Sequence, residues 1–137
     1  MTVLRLDWKN TPVTLKTHSH PTLETTLSLE LTSDLARALG DALQSLLKNP
    51  NASELQLLLT QGWVLYWKIR TTTTRVTLAH PQESEWVASV HLHPDHAQRL
   101  IERLHQMVGS DSKEMLGLSK LGSVAALSNL EVVFIKA

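Results

Sequence analysis

The chain repeats itself, and the repeat limits what it can fold into. Leu6-Asp7-Trp8-Lys9 is echoed by Leu65-Tyr66-Trp67-Lys68, and Val13-Thr14-Leu15 by Val76-Thr77-Leu78. Leu27 to Leu47 then aligns without a gap on Ala88 to Val108, sharing Ser28/Ser89, Leu31/Leu92, Asp34/Asp95, Ala36/Ala97, Leu39/Leu100 and Leu43/Leu104. Self-similarity in fixed order is the mark of a duplicated supersecondary unit. It also supplies a control, because a motif in one copy can be judged against its counterpart in the other.

Periodicity gives the unit its elements. Val3 to Trp8 and Val13 to Thr17 are short β-prone runs, separated by Asn10 and Pro12. Leu27, Leu29 and Leu31 alternate with Thr26, Ser28 and Glu30, the two-residue period of a half-buried strand. From Asp34 the period lengthens: Leu35, Leu39, Leu43, Leu46 and Leu47 form a helical stripe, with Thr32 or Ser33 as the cap and Asn49-Pro50 as the stop. The second copy reads the same way. Glu54 to Thr60 and Trp63 to Arg70 flank a turn at Gln61-Gly62, and Val76 to Ala79 and Trp86 to Leu92 flank another at Pro81 to Glu85. Pro94 and Asp95 then start a helix with the stripe Leu100, Ile101, Leu104, Met107 and Val108, and Gly109 stops it. Leu130 to Lys136 reads as a terminal strand. The expected fold is α+β and a single domain over 1–137: a duplicated βββαβ unit (1–60 and 61–137), antiparallel sheets, two main helices and a pseudo-twofold. An insertion near 110–129 carries short helical turns at best. Two such units can cover each other's apolar faces.

Composition narrows the function. The chain has 137 residues, enough for a real core, and its thirteen basic residues balance thirteen acidic ones. A dedicated duplex nucleic-acid binder carries a basic excess, because phosphate neutralisation supplies most of its affinity. The absence of Cys excludes disulfides, thiolate metal sites and a Cys nucleophile. Met1 to Arg5 lacks the pattern of a secretory signal and no apolar run reaches a membrane span, so a soluble, cytoplasmic protein is expected.

His91-Leu92-His93-Pro94-Asp95-His96 matches H-x-H-x-D-H and so resembles the signature of the metallo-β-lactamase superfamily. The resemblance implies a zinc-dependent hydrolase with His91, His93, Asp95 and His96 as ligands. It covers these six residues. The family's further ligands lie well downstream, where this chain offers only His105 and Asp111. The first copy has Glu30-Leu31-Thr32-Ser33-Asp34-Leu35 at the same place, with no His, so Asp34 and Asp95 have a helix-start role of their own. The expectation is no cofactor, with at most weak divalent-metal binding at these four residues. His18-Ser19-His20 is read as a solvated turn.

Four of the six aromatics are Trp. Trp63, Tyr66, Lys68, Arg70 and Arg75 put rings beside cations, the combination that single-stranded nucleic-acid binders use. In element order the chain is similar to the Whirly-type single-stranded DNA-binding fold, which implies such binding as an alternative function; the neutral charge balance disfavours it. Trp8 and Trp67, equivalent in the repeat, are read as matched core residues. No G-x-S-x-G elbow, Walker loop or G-x-G-x-x-G fingerprint is present. The leading expectation is therefore a non-catalytic interaction or assembly module, docking on a protein partner or on a second copy of itself as a homodimer. Its contact surface is expected in the insertion, at Met115, Leu118, Leu121, Val124 and Leu127.

Overall fold

Trp67 and Phe134 stack with ring centroids 6.2 Å apart, and this contact joins the inner faces of two sheets. The computed structural model describes residues 2–9, 13–17, 25–50, 53–82, 85–109 and 113–136. His18, Ser19, His20 and Asp111 lie outside them. The elements run β1 (Thr2–Trp8), β2 (Val13–Thr17), β3 (Thr25–Leu31), α1 (Ser33–Lys48), β4 (Ser53–Leu59), β5 (Trp63–Ile69), β6 (Arg75–Gln82), β7 (Glu85–Leu92), α2 (Pro94–Val108), β8 (Met115–Gly117) and β9 (Leu130–Lys136). One sheet has five strands in the order β1-β4-β5-β7-β6, and the other has four in the order β2-β3-β9-β8.

The α+β class is as expected, but the sheets are mixed rather than antiparallel: β1–β4, β3–β9 and β5–β7 pair in parallel. The strand order also does not reproduce one unit twice. After α1 the chain enters β4 beside β1; after α2 it enters β9, which pairs with β3 of the first half rather than with β5. Strand β5 stands instead between β4 and β7. The halves 1–60 and 61–137 are thus interleaved. An alternating strand specifies which face it buries and leaves open which neighbour it pairs with.

The inner faces are as the alternation reads. Leu55, Leu57 and Leu59 of β4, Trp63, Leu65, Trp67 and Ile69 of β5, and Ala88, Val90 and Leu92 of β7 are all buried. So are Leu27, Leu29 and Leu31 of β3, and Leu130, Val132 and Phe134 of β9. Each fully buried Leu contributes about 1.5–3 kcal/mol relative to exposure. The helices add Leu39, Leu43 and Leu46 from α1 and Leu100, Leu104 and Met107 from α2 to the same cluster. Thr32 Oγ1 accepts from Leu35 N at 3.2 Å and caps α1. The helices run antiparallel, since Ser33 Oγ donates to Val108 O at 3.3 Å while His105 Nε2 lies 3.5 Å from Asp41. They approach closely at Gly40, where a Cβ would fall 2.9 Å from His105 Nε2.

The expected insertion packs back on the protein. Short strand β8, unforeseen in the sequence, pairs antiparallel with β9. Residues 124–129 form a strap along β6, the edge of the five-stranded sheet: Ala125 N donates to Thr74 O at 2.6 Å and Asn129 N to Val76 O at 3.1 Å. Ser128 Oγ accepts from Val76 N at 3.0 Å, and Asn129 Oδ1 accepts from Leu78 N at 2.7 Å. Backbone groups that would otherwise make an open edge are thereby satisfied. The expectation of a contiguous exposed apolar patch is corrected accordingly. Leu118 and Leu121 belong to the core and Val124 is half-buried; Met115 and Leu127 alone of the five are exposed, at 71% and 72%. Glycine-interrupted apolar residues are compatible with either outcome, and the need to close the β6 edge decided this one.

Candidate functional site

The parallel strands β5 and β7 end together, and the chain must travel from β5 to β6 across the end of β7, because β6 lies on the far side of it. The crossing segment, residues 70–74, therefore runs over the point where β7 hands the chain to α2. Two of its bonds fasten it there: Arg70 N donates to Leu92 O at 2.8 Å, and the buried Thr74 Oγ1 accepts from His93 N at 3.0 Å. Thr74 also carries the strap, through Ala125 N and a bridge to Val124. The run Thr71-Thr72-Thr73-Thr74 holds three segments together through its last member.

Register then concentrates positive charge. Lys68 on β5, His91 on β7 and Arg75 on β6 are direct cross-strand neighbours on the outer face, and Arg70 follows Lys68 with the same parity. Like charges side by side on a sheet oppose folding. Glu54 relieves Lys68 at 3.7 Å, whereas among the described residues no acid pairs with Arg70 or Arg75. His91 has its pKa lowered, first by burial and then by Arg70, Lys68 and Arg75, so its charged form is disfavoured beside these cations. Arg70, Thr72, Thr73, Arg75, His91 and Ala125 line an open cavity of about 410 Å³.

A second cavity of about 260 Å³ adjoins the first through Thr73 and opens at the amino end of α2. His93, Asp95, His96, Arg99, Gly122 and Ser123 complete its lining. The histidines here do not converge. His93 caps the helix, its Nδ1 accepting from Asp95 N at 3.1 Å. His96 is 3% exposed and its Nε2 lies 2.8 Å from Leu118 O, an atom that only accepts; the Nε2–H tautomer follows. Its Nδ1 is buried without a hydrogen-bond partner among the described residues. The pKa of His96 is lowered by burial; the carbonyls of Leu118 and Ser123 oppose the shift, and Arg99 and His93 add to it.

The sequence candidates sort as follows. Around His91, His93, Asp95 and His96, the residues of the metal reading, no group of three potential ligand side chains comes together among the described residues. His91 faces the first cavity, His93 is engaged as a cap, and His96 has turned into the fold, where the repeat places half-buried Leu35 in the first helix. The aromatic platform is corrected. Trp63 is 2% exposed and stacks on Trp86 with centroids 5.1 Å apart, so it presents no face to a base. Trp67 is fully buried, and Trp8 is buried as expected. Tyr66, Lys68, Arg70 and Arg75 keep outward positions. The residues that sequence reasoning missed are Thr73, Arg99, Gly122 and Ser123. Only their place in the tertiary structure marks them.

Comparison with known proteins finds no matching family model, curated protein or solved structure. Among the described residues, no helix is long and apolar enough to cross a membrane.

Proposed function

We propose that this protein is a non-catalytic interaction module that docks on an acidic segment of a protein partner through the cation-rich end of its five-stranded sheet. The observation that carries this reading is the cross-strand row Lys68, His91 and Arg75, extended by Arg70, in which Arg70 and Arg75 have no acid partner among the described residues. A carboxylate brought in by a partner relieves that repulsion, and guanidinium groups bind carboxylates in bidentate geometry. The histidine motif supports the same reading, since His93 and His96 are engaged in capping and in a bond to Leu118 O. Docking relocates the contact surface expected in the insertion to the cavity beside the strap.

The test is titration of a fluorescent oligo-glutamate peptide against the wild type and the double variant Arg70→Glu, Arg75→Glu. The expected result is salt-sensitive binding that falls at least about tenfold in the variant. Equal affinity in both proteins overturns the reading. A single-stranded oligonucleotide run in parallel separates the nucleic-acid alternative, which is disfavoured because Trp63 and Trp67 are buried. Oligonucleotide binding that exceeds peptide binding replaces the protein partner with nucleic acid. Sedimentation of the unliganded protein decides whether a second copy is the occupant.

A further inference from the structure

The two edges of the five-stranded sheet are finished differently. The strap of residues 124–129 closes β6, whereas among the described residues nothing pairs with the outer side of β1, which has β4 as its neighbour. That edge runs from Thr2 to Trp8. An open edge presents backbone N–H and C=O groups that another strand can take up. The core also stops short here. Leu4 and Leu6 are half-buried, while Leu55 and Leu57, their register partners on β4, are 0% exposed.

Charge is a common way to block an edge, and β1 carries Arg5 and Asp7 on its exposed outer face. Their opposite signs suit a second copy instead. In an antiparallel pair of β1 strands centred on Leu6, Arg5 of each copy stands opposite Asp7 of the other, Leu6 meets Leu6, and Leu4 meets Trp8. Outer face then continues outer face, so the apolar sides of both copies stay toward their cores. Centring on Arg5 or on Asp7 sets like charges against each other, and centring on Leu4 leaves both without an opposite charge. Within one copy neither group has a strong counter-charge among the described residues. Arg5 donates to the neutral Gln56 Oε1 at 3.2 Å, and Asp7 lies 3.9 Å from Lys9, the last two side chains both more than half exposed.

We propose that β1 pairs antiparallel with β1 of a second copy of this chain, centred on Leu6, so that two five-stranded sheets join into one across a twofold axis. The two Arg5–Asp7 pairs set the register, and the added strand covers Leu4 and Leu6. This surface is separate from the cation row at Lys68, Arg70 and Arg75, and neither reading requires the other.

Sedimentation of the full chain at concentrations up to about 100 µM should show a dimer. Asp7→Arg and Arg5→Asp each turn both charge pairs into like charges, and each should weaken dimerisation at least about tenfold. Mixed together, the two variants should form a heterodimer, because two cations on one strand then face two anions on the other. That rescue also shows that both variants fold. The chain has no Cys, so Leu6→Cys carries a single thiol, placed on the axis. Its Cα lies about 4.5–5.5 Å from its counterpart in such a pair, within disulfide reach, and oxidation by diamide should yield a covalent dimer. Leu4→Cys lies opposite Trp8 and so about 14 Å from its counterpart, and should stay uncrosslinked. A monomeric wild type overturns the proposal, as does a dimer indifferent to both charge variants or a pair of variants that fails to recover on mixing. Cross-linking through Leu4→Cys instead of Leu6→Cys overturns the register and with it the proposal. A dimer lost in Arg70→Glu, Arg75→Glu but kept in the β1 variants puts the second copy on the cation row and overturns it as well. Loss of oligo-glutamate binding in a protein that still dimerises through β1 would remove the docking reading alone.

Discussion

The indole of Trp67 lies against the ring of Phe134 with the two planes 25° apart, and the contact links β5 of one sheet to β9 of the other. Both side chains are fully buried. Phe134→Ala should destabilise the protein by about 3–5 kcal/mol through lost burial and a residual cavity. Phe134→Leu should cost about 1 kcal/mol, since most of the volume is kept. Urea unfolding followed by tryptophan emission checks both. An alanine variant within about 1 kcal/mol of the wild type would show that the seam does not hold the sheets together.

The strap makes a separate prediction. Ser128→Ala leaves the Val76 N–H without its partner in a buried position and should cost about 1–3 kcal/mol. Asn129→Ala, at the more exposed Leu78 N–H, should cost about 1 kcal/mol. Amide exchange should accelerate at Val76 and Leu78 first. Acceleration spread evenly over β6 would mean that the strap does not protect the edge locally.

Gly40 and His105 allow a test of the helix contact. An alanine at 40 gains about 0.5–1 kcal/mol of helix propensity but pushes away the imidazole 2.9 Å from its Cβ. That ring can swing outward, losing only a surface pair with Asp41. Gly40→Ala should therefore change stability by less than about 1 kcal/mol, and should become clearly stabilising in a His105→Ala background. Gly40→Leu also meets Leu104 and should cost about 2 kcal/mol by forcing the helices apart. Thermal melts of the set decide the matter.

Acid should weaken the fold through His91 and His96. Both have folded-state pKa values below the ordinary 6.5, chiefly through burial. The unfolded chain then binds more protons than the folded one as pH falls below about 6.5, so stability present above that pH is lost on the way down through the folded values. His96→Leu should flatten this part of the stability profile measured by urea unfolding between about pH 7 and 5. An unchanged slope would assign the loss to other groups.

Element type and buried face were legible in the residues alone. The stripe from Leu35 to Leu47, the alternation from Leu27 to Leu31 and the Pro94–Asp95 helix start are local signals, because backbone geometry sets their periods. Pairing is different. Nothing in Leu130 to Lys136 says that it lies parallel to β3, and nothing in 122–129 says that it closes the β6 edge. Those choices rest on contacts between residues far apart in the chain, which compete on the total surface they bury.

The candidate site divides along the same line. The H-x-H-x-D-H string could be read at once, but its meaning depended on where each ring pointed. Strand parity kept His91 outside, capping engaged His93, and the helix stripe carried His96 inward to Leu118 O. Arg99, Gly122 and Ser123 meet His96 only after folding. The sequence by itself determined which stretches coil or extend and which sides shun water, since those follow from spacing along the chain. Tertiary structure alone decided which cations share a row and which histidine turns into the fold, since these depend on register between strands and on the path of a crossing loop.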